Sequence, residues 1–359
     1  MDNQREFLFR RKNRWGLTVL SILICLVLSP LVSMTAMMPQ VLAFVPVVML
    51  MLLGYVGPVS AVVCTGMCVG MAGTIYGGYG LLGAALLFVP VLAVSALLVD
   101  RQTPFWQSAG ASALTMFVSM GSVVGLLSVW MGSDVVTLYT QIVREMFGGM
   151  GSLSDALLMM MMQMGALPTP EGLDLTSATA VLTPEMREEM VNMVAYVLDT
   201  GLRLELPAQM TTGSVMAGVL GQTVLRRGLL SKGTAVDYPP LRTWRLPKGW
   251  GRVLGGTLLV FFVAAQLMPE RMNSTFYVFS QIFDLVFAVQ GIASVCYLLH
   301  KKGKGKILKT LVCLLGFFAI RSIMLAVGIA DQGMDITGRR AVLDQKDNPY
   351  DPFGRKPEA

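Results

Sequence analysis

From Gly57 to Val99 the chain runs 43 residues without one Asp, Glu, Lys or Arg. A hydrocarbon layer about 30 Å thick takes roughly 20 apolar residues in helical form. The stretch therefore holds two crossings, and no water-facing surface can be built from it. The rest of the chain agrees. Charged residues make up 14% of the 359 and apolar ones 54%, whereas a soluble domain carries about 25% charge. This is a polytopic, all-α membrane protein, and a soluble enzyme is excluded.

The same composition limits the chemistry. His300 is the only histidine, so a multi-histidine metal site is ruled out. Cys25, Cys64, Cys68, Cys296 and Cys313 all lie in apolar segments and read as small buried hydrophobes. No phosphate-binding G-x-x-x-x-G-K-[ST] loop is present, nor H-E-x-x-H or G-x-S-x-G. No catalytic, cofactor-binding or metal residue is expected, and the chain is read as a non-enzyme.

Apolar runs bounded by charge, Pro or Gly predict spans near 16–38, 41–57, 59–77, 80–99, 106–131, 207–225, 252–268, 275–299 and 307–329. The second is short and bracketed by Pro46 and Pro58, so eight or nine spans are expected. Lys and Arg gather in residues 1–15, in 226–252 and in 300–309, which together hold 17 of the 28 basic residues. Segment 133–206 has only Arg144, Arg187 and Arg203 against ten carboxylates. The preference of basic loops for the cytoplasm then puts the N-terminus inside and the acidic segment outside a bacterial inner membrane. Nine spans would put the tail outside as well. Four regions follow: an N-terminal bundle 1–132, an external amphipathic insertion 133–205, C-terminal spans 206–330 and a polar tail 331–359.

Within the insertion, Thr183-Pro184-Glu185 reads as a helix start, with a hydroxyl cap, proline in the first turn and an acid at the positive end. Met186, Met190, Met193, Val194 and Val197 then recur on one face. Such a helix serves as a lid over an outward cavity, or lies on the bilayer or bundle.

In the spans, Gly66, Gly70, Gly73 and Gly77 form a candidate helix-packing face, echoed by Ala109/Ala113 and Gly213/Ala217/Gly221. Small residues let helices approach closely where lipid gives no hydrophobic drive. Asp284 and Arg321 are ionisable residues inside spans, where charge is expensive. They stand 19 and 18 residues from Gly303, so a straight hairpin sets them at equal depth as a candidate polar pair or pocket, with Gln281, Gln290 and Gln266 beside it. The loop from Tyr238 to Trp250 is rich in Pro, Trp and Arg and suits the headgroup layer or a docking partner.

The landmarks Leu206-Pro207-Ala208, Pro239-Pro240-Leu241, Trp244, Leu246-Pro247, Gln290-Gly291 and Gly328-Ile329-Ala330-Asp331, with Asp335 and Arg339, follow in an order that resembles the YybS-like family of uncharacterised bacterial membrane proteins. The resemblance implies an N-terminal bundle similar to the substrate-capture (S) components of energy-coupling-factor transporters, and more distantly to the rod-shape protein MreD. Two functions follow as expectations. One is capture of an unidentified small molecule, with a separate membrane subunit and ATPase as partners. The other is a non-transporting scaffold for envelope or division proteins. The bilayer is the certain partner; nucleic acid is not expected.

Overall fold

The computed structural model describes residues 16–23, 39–170, 182–247 and 249–338. Among the described residues all regular structure is helical. Residues 16–23 are helical, and ten helices follow: α1 Pro39–Tyr55, α2 Pro58–Asp100, α3 Phe105–Met131, α4 Val135–Gly149, α5 Ser152–Gln163, α6 Pro184–Ser231, α7 Trp250–Leu267, α8 Pro269–Lys301, α9 Lys306–Phe318 and α10 Arg321–Met334. Helices α2, α3, α7 and α8 are long and apolar enough to cross a membrane.

At 1.5 Å per residue, α2 would be about 64 Å long if straight, twice the hydrocarbon thickness. It is not straight. Gly77 leaves helical geometry at φ 67°, ψ −155°, a conformation open to glycine. A methyl group at Gly80 would sit 2.2 Å from the Ala72 carbonyl oxygen, and one at Gly73 3.1 Å from the Leu81 Cβ. Eight residues along a straight helix are separated by about 12 Å, so the chain doubles back at Gly77. The two legs match the expected spans 59–77 and 80–99.

The expected ninth span, 307–329, is a different object. It breaks at Ala319–Ile320 into α9, 13 residues, and α10, 14 residues. Each is shorter than the 17–25 residues a crossing needs. A methyl group at Gly316 would lie 3.1 Å from the Met324 side chain, so α10 folds back along α9. Its far end, Asp331–Thr337, reaches Ser294 and the 246–247 loop. α10 thus runs back toward the 246–247 loop instead of continuing α9. Equal depth of Asp284 and Arg321 requires one unbroken helix, and glycine at 316 removes the side chain that would keep the halves apart.

The chain divides into two compact units, Val124–Leu206 and the remainder. In the larger unit, helices cross where glycine lets backbones touch. A methyl group at Gly218 of α6 would be 2.4 Å from the Ala109 carbonyl oxygen of α3, and one at Gly54 of α1 2.5 Å from the Leu225 carbonyl oxygen. The smaller unit has its own core of Leu158, Met162, Leu167, Leu182, Met190 and Val194. Thr183 Oγ1 accepts from the Met186 amide as α6 begins at Pro184. Asp134 caps α4, accepting from the amides of Val136 and Thr137. Arg187 forks onto Asp155, and Arg203 joins Asp134 and Asp199.

Candidate functional site

The buried polar chemistry of the larger unit converges on the loop between α6 and α7. Ser and Gln spaced along α3 and α6 at helical intervals build the first cluster. Arg226, 1% exposed, is the largest fully buried side chain among the described residues. Its Nε donates to Gln222 Oε1 (3.2 Å), Nη1 to the Asp237 carbonyl (2.7 Å), and Nη2 to the Thr103 carbonyl (2.8 Å) and Ser108 Oγ (2.7 Å). Four of the five guanidinium N–H groups are thus engaged. Gln222 Nε2 continues to Ser112 Oγ (3.1 Å), which meets Ser95 Oγ (2.8 Å). Asp237 supplies the opposite charge, and its Oδ2 accepts from the Phe105 amide (2.8 Å). The guanidinium also lies 5.8 Å from the centroid of the Phe105 ring. One arginine thereby ties α2, α3, α6 and the loop together.

The second cluster is built on Asp331, 1% exposed. Its Oδ2 accepts from Ser294 Oγ (2.7 Å) and Gln290 Nε2 (3.4 Å), and its Oδ1 from Thr337 Oγ1 (2.7 Å). Gln290 Oε1 accepts from the Leu246 amide (3.2 Å), and Gln332 Nε2 donates to the Pro247 carbonyl (3.2 Å). Between the clusters Trp244 is buried rather than set in the headgroup layer. Its ring centroid lies 4.9 Å from that of Trp106 and 5.5 Å from that of Phe105, and its Nε1 donates to the Pro239 carbonyl (2.9 Å). Trp250 is exposed, as a headgroup residue would be.

The candidate residues read from sequence separate. Gln290 joins the Asp331 cluster. Gln281 and Asp284 are half-buried on α8, and Gln266 is exposed at the end of α7. Arg321 stands at the first position of α10; its charge reaches Asp284, but the two form no ion pair. No direct ion pair joins the two, and the helix carrying Arg321 is broken next to it. Gly66 and Gly70 face open space, Gly73 meets the Leu81 side chain across the α2 turn, and Gly77 is the turn itself. Of the four, only Gly73 packs against another helical leg of this chain.

Sequence reasoning missed Arg226 as a buried residue because it stands beside Arg227 at the head of a basic loop. The signal was Gln222 four residues earlier, on the face that carries Ala217 and Gly218. Asp331 was visible only as a landmark. The landmarks turn out to be neighbours: Leu246, Gln290, Gly291, Gly328 and Asp331 meet at one junction.

These features define a helical membrane protein whose most deeply buried charged groups, Arg226 and Asp331, hold helices and loop together. The chain belongs to the family described as Predicted membrane protein (DUF2232), which matches residues 16–332, in line with the YybS-like resemblance. No curated protein and no solved structure matches it.

Proposed function

We propose that this chain is a non-enzymatic membrane scaffold, and that it does not capture a transported substrate. One observation carries the reading: the buried polar groups of the two clusters, around Arg226 and Asp331, are held by fixed partners. Arg226, Gln290 and Asp331 each bind at least two neighbours from other elements, and Gln222 links Arg226 to Ser112 of α3. A ligand would have to break those bonds, at roughly 1–3 kcal/mol for each group left unpaired. Asp284 and Arg321 make no direct ion pair, and Gln266 is exposed at the end of α7. Meanwhile the Val124–Leu206 unit carries its own core and ion pairs, which suits a displayed module better than a hinged lid. In this reading the protein sits in a bacterial inner membrane with its N-terminus and basic loops in the cytoplasm, and displays the acidic unit to envelope proteins.

The test is purification from native membranes under mild detergent, followed by mass analysis of proteins and small molecules. A stoichiometric envelope or membrane protein, cross-linked to residues of the Val124–Leu206 unit, is the expected result. A co-purifying small molecule together with an energy-coupling ATPase would reinstate the capture function.

A further inference from the structure

Cys296 of α8 and Cys313 of α9 face each other across the hairpin that turns at Gly303. Their Sγ atoms are 3.4 Å apart. Cys296 is buried with Ala288, Ile292 and Met324, and Cys313 packs on the same cluster. Cys64 Sγ, by contrast, donates to the Ser21 carbonyl. A disulfide needs about 2.05 Å between sulfurs, so small side-chain rotations close the gap without moving either helix by a turn.

We propose that Cys296 and Cys313 are a redox-responsive dithiol that closes to a disulfide when a membrane-dissolved quinone accepts their electrons. The two S–H bonds break, one S–S bond forms, and two electrons with two protons pass to the quinone, giving the hydroquinone. No charge is left on the protein, which matters in low dielectric. The site favours this acceptor by position. Cys296 is seven residues before Gly303 and Cys313 ten after, so both sulfurs lie about 10–15 Å along their helices from the turn. That depth is reached by lipid-soluble quinones and not by charged aqueous thiols, the agents that keep cytosolic cysteines reduced. The bond would tie α9 to α8 at the cluster where Met324 of α10 also packs, fixing the returning hairpin α9–α10 against α8. The inference does not depend on the scaffold function.

The test uses the full-length chain in proteoliposomes treated with a short-chain, fully substituted ubiquinone, then acid-quenched, alkylated and digested. The expected product is a peptide pair joining Cys296 to Cys313, two hydrogens lighter than the dithiol. It should revert on reduction and be absent from Cys296→Ser and from Cys313→Ser. Hydrogen exchange of the α9 amides should slow in the oxidised wild type and stay unchanged in the treated Cys313→Ser chain. Equal alkylation of both thiols with and without quinone would overturn the proposal, as would a quinone adduct on a single cysteine.

Discussion

Gly291 and Gly328 meet backbone to backbone where α8 and α10 cross. A methyl group at Gly291 would lie 1.9 Å from the Met324 carbonyl oxygen. One at Gly328 would lie 1.9 Å from the Phe287 carbonyl oxygen and 2.9 Å from the Gly291 amide nitrogen. The neighbours are main chain and cannot rotate away. This contact brings Asp331, three residues further along α10, onto Ser294 and Gln290.

Gly291→Ala and Gly328→Ala should therefore push the helices apart. Overpacking costs about 1–3 kcal/mol where side chains can adjust, and with main chain on both sides the loss belongs at or above the top of that range. Thermal unfolding in detergent measures it. Gly255→Ala and Gly256→Ala in α7, where a methyl meets open space, should be neutral. Equal effects at the two sets of positions would refute the crossing.

Arg226→Ala should cost about 3–5 kcal/mol, the range for breaking a buried charged network from one side. The Thr103 and Asp237 carbonyls and Gln222 would each lose a donor. Arg226→Lys should restore only part of it, since one ammonium cannot reach four acceptors spread around a planar fork. Unfolding midpoints of the two variants decide this, and full recovery by lysine would show that charge alone matters.

The acidic unit should respond to pH through Asp134. Its hydrogen bonds from the Thr137 hydroxyl and amide, with Arg203 beyond them, hold its carboxyl below the ordinary range. A depressed carboxylate stabilises the fold above its unfolded value, near about 4. That contribution is lost as pH falls from there through the lower folded value. Hydrogen exchange over residues 135–149, corrected for intrinsic rates, should show α4 loosening below about pH 4 in the wild type. Asp134→Asn should be loosened at neutral pH and change little on acidification.

Topology offers a sharper test of the folded-back hairpin. Reporters fused after Ser231, Lys304 and Gly338 should all read the same side, and one at Ser152, where α5 begins, the opposite side. A ninth crossing would send the Gly338 reporter to the side of Ser152.

Asp284 and Arg321 should couple weakly, because the Arg321 charge acts on Asp284 without a direct salt bridge. In a double-mutant cycle, Asp284→Asn and Arg321→Gln should show a coupling toward the lower end of the roughly 0.5–3 kcal/mol found for interacting neighbours. A coupling at or above the upper end would mean that the two charges meet directly.

Much of this protein was legible in the chain alone. Absence of charge from Gly57 to Val99 dictates membrane burial whatever the tertiary arrangement, because lipid offers no partner for a charge or an open backbone group. Thr183-Pro184-Glu185 announces the start of α6, because capping is decided within four residues. The break at Gly77 falls on the last residue of the expected span 59–77, next to the gap before 80–99. These are local or solvent-imposed properties, and local sequence carries them.

The remainder depended on which surfaces meet. Residues 307–329 are apolar enough to read as one crossing. Only packing shows the turn at Ala319–Ile320, since Gly316 matters through the Met324 it admits. Arg226 looks like any loop arginine until Thr103, Ser108 and Asp237, up to 123 residues away in sequence, supply its acceptors. Asp284 and Arg321 share a distance from Gly303 and yet form no pair, because a count of residues fixes depth only along an unbroken helix. Sequence by itself set the environment of each segment through the solvent it must face. Tertiary structure alone decided which buried polar groups find each other, because a hydrogen bond requires two specific surfaces within 3 Å or so, and no local pattern encodes that proximity.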